Sequence, residues 1–203
     1  MRRIGLTGGI ASGKSMVVDF LAQMGAAVVR ADELAHLVMQ PGTEVFELIR
    51  TQFGDAFLDS TYHIDRKRLG DFVFSHPEAL TSLNRLVHPT VLRMFDDEVS
   101  RLENEGAWPV VVCEVPLLYE LKLAPRFELV VVVYVPASLQ KRRLVDRDGL
   151  SPLQAEARLN SQLSIEEKRS RADVVIDNSR SRHDTYEQVL RLAGRIGLTT
   201  SAG

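Results

Sequence analysis

The residues whose types and spacing could do chemistry are concentrated near the start of the chain. Residues 4–15 read Ile-Gly-Leu-Thr-Gly-Gly-Ile-Ala-Ser-Gly-Lys-Ser. Gly8 to Ser15 satisfy the spacing G-x-x-x-x-G-K-[ST] of a phosphate-binding loop. Gly8 and Gly13 lack a Cβ, so the backbone there can turn sharply and approach a ligand closely. The turned backbone aims successive N–H groups inward, and a following helix adds its positive end. The pattern assigns Gly8, Gly9, Ala11, Ser12, Gly13, Lys14, Ser15 and Met16 to a nucleotide phosphate site. Lys14 reaches the β- and γ-phosphates, and the Ser15 hydroxyl can ligate Mg²⁺.

Other candidates lie further along. Asp32 follows the apolar run Ala26–Val29 and therefore sits at the carboxyl end of a strand, the edge that faces the ligand crevice in open α/β sheets. It can accept a proton from an attacking hydroxyl, hold the metal's water shell, or cap the next helix. Glu114 follows Val110–Cys113 and resembles the acidic residue that supports Mg²⁺ directly or through water. Residues 139–171 carry eight basic side chains against five acidic ones. They read as a helical lid or as a solvated helix face. Arg143 and Arg147, four apart on one helix face, are the pair suited to neutralising phosphate charge. His88, on an apolar stretch beside Pro89, reads either as a structural histidine or as an acceptor contact.

The elements that must position these groups follow from periodicity. Ile4 and Leu6 precede the loop as a strand, and Val17, Leu21 and Met24 follow it at helical spacing, with Gly25 as a stop. Further buried strands are expected at 26–29, 110–113, 129–135 and 172–178. Between the second and third lie about sixty helical residues. Thr43 and Asp65 cap two of these helices, a third stops at His88-Pro89, and a fourth spans Thr90 to Asn104. Capping boxes open helices at Ser151 and Ser164, and a last helix covers Asp184 to Arg195. The tail Thr199–Gly203 is expected to fray.

This pattern predicts one α/β domain: a parallel sheet of about five strands flanked by helices. Its core covers about 1–40, 108–137 and 172–203, with a helical acceptor-binding insertion at about 41–107 and a helical lid at about 138–171. The 203 residues are 45% hydrophobic with net charge −2, so no global field draws in nucleic acid or an anionic membrane. The single cysteine, Cys113, excludes a disulfide framework. No run of membrane-spanning length is present; no signal peptide is expected from the Met-Arg-Arg start, and a cytoplasmic monomer or weak homo-oligomer is expected.

Several stretches together resemble bacterial dephospho-CoA kinases: Leu6–Ser15, Ala31-Asp32 with Ala35-His36, Pro41-Gly42, Leu83–Pro89, Val115–Glu120, Arg147–Ser151, Ser161-Gln162 and Ala172–Asn178. The resemblance spans residues 4 to about 190. It implies a phosphate-loop kinase core, an acceptor domain and a lid. It also implies ATP with Mg²⁺ as donor, and phosphorylation of the ribose 3′-hydroxyl of dephospho-CoA in the last step of coenzyme A synthesis. Asp32 then matches the family's base, and Arg143 and Arg147 match lid arginines that face the phosphates. Four positions depart from the pattern: Arg30 for an aspartate, Met16 for a threonine, Ala11 for a glycine and Glu114 for an aspartate. Arg30 would weaken Asp32 as a base if the two were close. The rival readings are a kinase for another small alcohol or nucleotide, and a GTP-binding switch, which would want an Asn-Lys-x-Asp that the chain lacks.

Overall fold

The computed structural model describes residues 1–198, so the expectation for Thr199–Gly203 lies outside the described residues. The chain divides into two compact units. One comprises Met1–Arg30 with the chain from Glu98 onward, and the other is Ala31–Asp97.

The first unit is built on five parallel strands: β1 (Arg2–Gly8), β2 (Ala27–Arg30), β3 (Val110–Glu114), β4 (Leu129–Tyr134) and β5 (Val174–Asp177). Their order in the sheet is β2-β3-β1-β4-β5. Every residue of β3 and β4 is buried, as runs without polar alternation require when helices cover both faces. Helices α1 (Lys14–Gln23) and α9 (Arg182–Ile196) supply Val17, Val18, Leu21, Val189, Leu192 and Ile196, which pack with Ile4, Leu6, Val131 and Val133 in one core cluster. Each such side chain contributes about 1.5–3 kcal/mol on leaving water. Because the strands are parallel, their carboxyl ends share one edge, and the register sets Arg30 beside Glu114, Leu6 beside Glu114 and Gly8 beside Val133.

Three helices follow β4: α6 (Ala137–Asp148), α7 (Pro152–Asn160) and α8 (Ile165–Ser170). At Ser151 both halves of the capping box form. At Ser164 only the hydroxyl half is present, since Oγ accepts from the Glu167 N–H while the Glu167 carboxylate pairs with Arg171. Helix α9 starts two residues before Asp184, because Ser181 and Asp184 make a reciprocal capping box one turn earlier than the apolar pattern begins.

The second unit contains α2 (Ala31–Val38), α3 (Glu44–Phe53) and α4 (Arg66–Ser75). Thr43 and Asp65 cap α3 and α4 as expected, accepting from the Phe46 and Arg68 N–H groups. The helix that follows corrects the sequence expectation. No break occurs at His88-Pro89: α5 runs unbroken from Pro77 to Glu105 with Pro89 inside it. A proline there removes the N–H that would bond the Arg85 carbonyl and costs about 3 kcal/mol. Leu80, Leu83, Leu86, Val87, Val91 and Met94 lie on both sides of Pro89, yet all pack into one cluster with Phe46, Ile49, Leu69 and Val73. Several buried apolar side chains outweigh one lost hydrogen bond, so the helix continues.

Candidate functional site

The loop between β1 and α1 is shaped by contacts from distant parts of the chain. Gly13 caps α1 at φ +87°, and a Cβ there would lie 2.2 Å from Asn178 Nδ2. A Cβ on Gly9 would meet Gln140 Oε1 at 2.0 Å. The two positions therefore demand glycine, one for its conformation and both for space. Ala11 adopts φ +57° despite its Cβ, a conformation that costs an L-residue about 1–2 kcal/mol.

The polar side chains that hold the loop are buried. Asn178 Nδ2 donates to the Ser12 carbonyl at 2.8 Å, and Thr185 Oγ1 donates to Asn178 Oδ1 at 2.9 Å. Gln140, 2% exposed, donates from Nε2 to the Val135 carbonyl. Arg143 spans the loop and the end of β5, donating to the carbonyls of Ala11 (3.2 Å) and Asn178 (3.0 Å). Sequence reasoning missed Gln140 and Thr185 and gave Asn178 no role of its own. The Asn178–Ser12 contact joins residues 166 apart, and no local periodicity encodes it.

The predicted phosphate residues lie together. Gly13 gives α1 no side-chain cap, and its first turn carries no acidic residue. Its N-terminal donors and dipole thus meet no acidic side chain from the helix's own first turn. Lys14 Nζ folds over the loop to the carbonyls of Gly9 (3.0 Å) and Gly8 (3.4 Å). Ser12 is fully buried, and its Oγ has no hydrogen-bond partner among the described residues. Met16 packs its side chain against the core cluster, so its backbone N–H is what it can offer a phosphate.

Glu114 is 6% exposed, and its Oε1 lies 3.5 Å from Ser15 Oγ. Its Oε2 lies 3.4 Å from Arg30 Nε, and Arg30 also pairs with Asp19 at 2.5 Å. A hydroxyl and a carboxylate facing one another fit a hard cation that keeps waters and phosphate oxygens in its shell, as Mg²⁺ does. No group of three or more His, Cys, Asp or Glu able to hold a metal occurs among the described residues.

The arginine pair is divided. Arg143 meets the loop, whereas Arg147 turns to Asp148 (Nη2–Oδ2 3.0 Å), which also lies 4.0 Å from Arg158. That pairing holds the Asp148 carboxyl below its ordinary range. Asp32 stands in the first turn of α2, in the second unit, two residues past the N-cap position, which Arg30 occupies, so it does not cap the helix. His88, within α5, is partly buried, and desolvation holds its imidazole below the usual histidine range. Cys113 is buried and its thiol is pushed up to about 12 by desolvation, an inert packing group. Among the described residues no helix is long and apolar enough to cross a membrane.

Comparison with known proteins adds a family to this geometry. The family model described as dephospho-CoA kinase matches residues 2–184. The chain is 46% identical over 189 residues to a dephospho-CoA kinase of Symbiobacterium thermophilum, covering 93% of this chain and 79% of that protein. Among solved structures it resembles TT1252 from Thermus thermophilus, with TM-score 0.78, 35% identity and 98% of each chain covered. It also resembles a dephospho-CoA kinase from Campylobacter jejuni, with TM-score 0.68, 31% identity, and 97% and 98% covered.

Proposed function

The chain belongs to the dephospho-CoA kinase family, and from that membership we propose that it transfers the γ-phosphoryl group of ATP to the ribose 3′-hydroxyl of dephospho-CoA, giving CoA and ADP. The observation that carries the donor side is the loop of residues 8–15: strand-fed, glycine-turned, and ending in an uncapped helix N-terminus with Lys14 and Arg143 beside it. Phosphate oxygens replace the carbonyls of Gly8 and Gly9 as partners of Lys14. Arg143, held by two carbonyls, places a fixed cation near the loop without reorganising.

Ser15 and Glu114 are the residues that would hold Mg²⁺, which would supply neutralisation of phosphate charge when bound. The 3′-oxygen forms a bond to the γ-phosphorus as the bond from that phosphorus to the β–γ bridging oxygen breaks. Asp32 takes the hydroxyl proton, and in a loose transition state its positioning of the acceptor matters more than its basicity. We assign the acceptor to the helical segment 41–107 and a closing lid to 138–171. Arg147 joins the phosphates once released from Asp148. The reaction is placed in the cytoplasm, where ATP is supplied and Cys113 stays reduced, on a monomer or weak homo-oligomer with no nucleic acid or membrane partner.

The test is ADP release from ATP with dephospho-CoA, AMP, CMP or adenosine as acceptor, alongside GTP binding. Turnover only with dephospho-CoA is expected. Hydrolysis independent of acceptor, or a strict preference for GTP, overturns the reading.

A further inference from the structure

Of the eight basic side chains between residues 139 and 171, one is not on the surface at all. Lys168 of α8 is fully buried, an unfavourable place for an ammonium unless it is paired and hydrogen-bonded. Its Nζ donates at 2.8 Å to the Pro116 carbonyl and lies 2.8 Å from Glu120 Oε1. Desolvation holds its pKa below the usual lysine range, against the opposing pull of Glu120.

Each partner leads to a different part of the site. The Pro116 carbonyl also accepts from Thr7 Oγ1 at 3.1 Å, and Thr7 immediately precedes Gly8 of the phosphate loop. Glu120 Oε1 also accepts from the Leu163 N–H at 2.9 Å, in the connection between α7 and α8. Glu120 Oε2 is buried with no hydrogen-bond partner among the described residues, so the grip of this carboxylate on that connection passes through Oε1 alone. A cavity of about 390 Å³ has Gly9 and Ile10 of the phosphate loop on its wall together with Gln162 and Leu163. The connection and the loop thus face one space, and α8 itself packs against β1 and β4.

We propose that Lys168 is a positioning residue for phosphoryl transfer. Its buried ammonium ties the loop after β3 (residues 115–123) to α8, and through Glu120 and Leu163 it fixes where the α7–α8 connection stands relative to the phosphate loop. This inference rests on the kinase reading above. Lys168 touches neither nucleotide nor acceptor. It acts through the geometry of residues 162–163, which line the cavity beside the loop.

The decisive experiment removes both charges together, because removing one alone leaves the other buried and unpaired. Glu120→Met/Lys168→Met is expected to fold with an unchanged or higher Tm and to bind ATP within threefold of the parent. Its kcat with dephospho-CoA is expected to fall at least fivefold, and hydrogen exchange at the Leu163 amide to quicken at least tenfold. A smaller fall in kcat at equal Tm, or unchanged exchange at Leu163, overturns the proposal. Should the double variant not fold, Glu120→Gln and Glu120→Ala are compared below their Tm values. Glutamine keeps an acceptor for both donors, so it should retain kcat within fivefold where alanine does not; equal kcat for the two overturns the tie. The parent enzyme is the control for the reading beneath: if it is idle on dephospho-CoA that reading fails, while Leu163 exchange still judges the tie.

Discussion

The guanidinium of Arg30 lies 3.4 Å from the buried carboxylate of Glu114, side by side with it in register at the carboxyl ends of β2 and β3. The departure at Arg30 therefore has its structural meaning in Glu114, the residue whose other oxygen faces Ser15. A carboxylate taken out of water needs compensation, and Arg30 supplies part of it from within the protein. The Mg²⁺ proposed at Ser15 and Glu114 would share the same carboxylate.

Replacing Arg30 with Met should accordingly have two opposed effects. Stability should fall by about 1–3 kcal/mol, the range for leaving a buried polar partner unsatisfied, read from urea unfolding. If Glu114 holds Mg²⁺ as proposed, the Mg²⁺ concentration for half-maximal turnover should also fall several-fold, because a positive charge beside that carboxylate is gone. A higher Mg²⁺ requirement in Arg30→Met would mean that Arg30 orients Glu114 for the ion and does not compete with it.

Lys14 and Asp32 should separate in kinetics. Lys14→Ala removes the cation proposed to meet the phosphates and should abolish transfer. Asp32→Asn keeps size and hydrogen bonding but cannot take a proton, and should lower kcat by about 10²–10⁴-fold with little change in the KM for ATP. Near-normal turnover of purified Asp32→Asn on dephospho-CoA would remove Asp32 from the role of base.

Much of this site is legible from local pattern. The phosphate loop, all five strands and the caps at Thr43, Asp65 and Ser151 each depend on residues close in sequence. What local pattern cannot supply is partnership across the chain. Asn178 and Thr185 look like ordinary turn and helix-start residues until the fold sets Asn178 against Ser12. Lys168 belongs to a stretch that reads as a solvated basic face, yet it is fully buried because Glu120 and Pro116 meet it from the loop after β3. Pro89 misleads for the converse reason: a sound local rule is overridden by a cluster assembled from four helices.

Within the phosphate loop, two small-residue changes should have opposite signs. Ala11 is held at φ +57°; Ala11→Gly relieves about 1–2 kcal/mol of left-handed strain and returns about 0.4–1 kcal/mol in unfolded-state entropy. A net gain of about 0.5–1 kcal/mol is expected. Gly13→Ala adds such strain at φ +87° and sets a methyl 2.2 Å from Asn178 Nδ2, so it should lower stability by about 2 kcal/mol or more. Both are read by chemical denaturation.

His88 should make stability depend on pH. Burial holds its folded pKa below the ordinary histidine value near 6.5, so between the two values the unfolded chain binds more protons. The contribution is complete above about 6.5. It is lost as pH falls through that value toward the lower folded pKa, and it is constant below it. Tm should therefore drop more between pH 7.5 and 5 in the parent than in His88→Gln. Identical drops would show that His88 is not the group responsible.

Pro89 offers a direct measure of how strongly packing overrides local preference. It is exposed and lies inside the continuous helix α5, where its ring withholds an N–H from the Arg85 carbonyl. Pro89→Ala restores that donor and removes the ring's clash with the preceding turn, a gain of up to about 3 kcal/mol. The more flexible unfolded chain gives back about 0.4–1 kcal/mol. Because no buried surface changes, the net should be a stabilisation of about 1–2 kcal/mol in urea unfolding at unchanged m-value. A destabilised Pro89→Ala would instead show that the proline shapes a bend on which the packing of Val87 and Val91 depends.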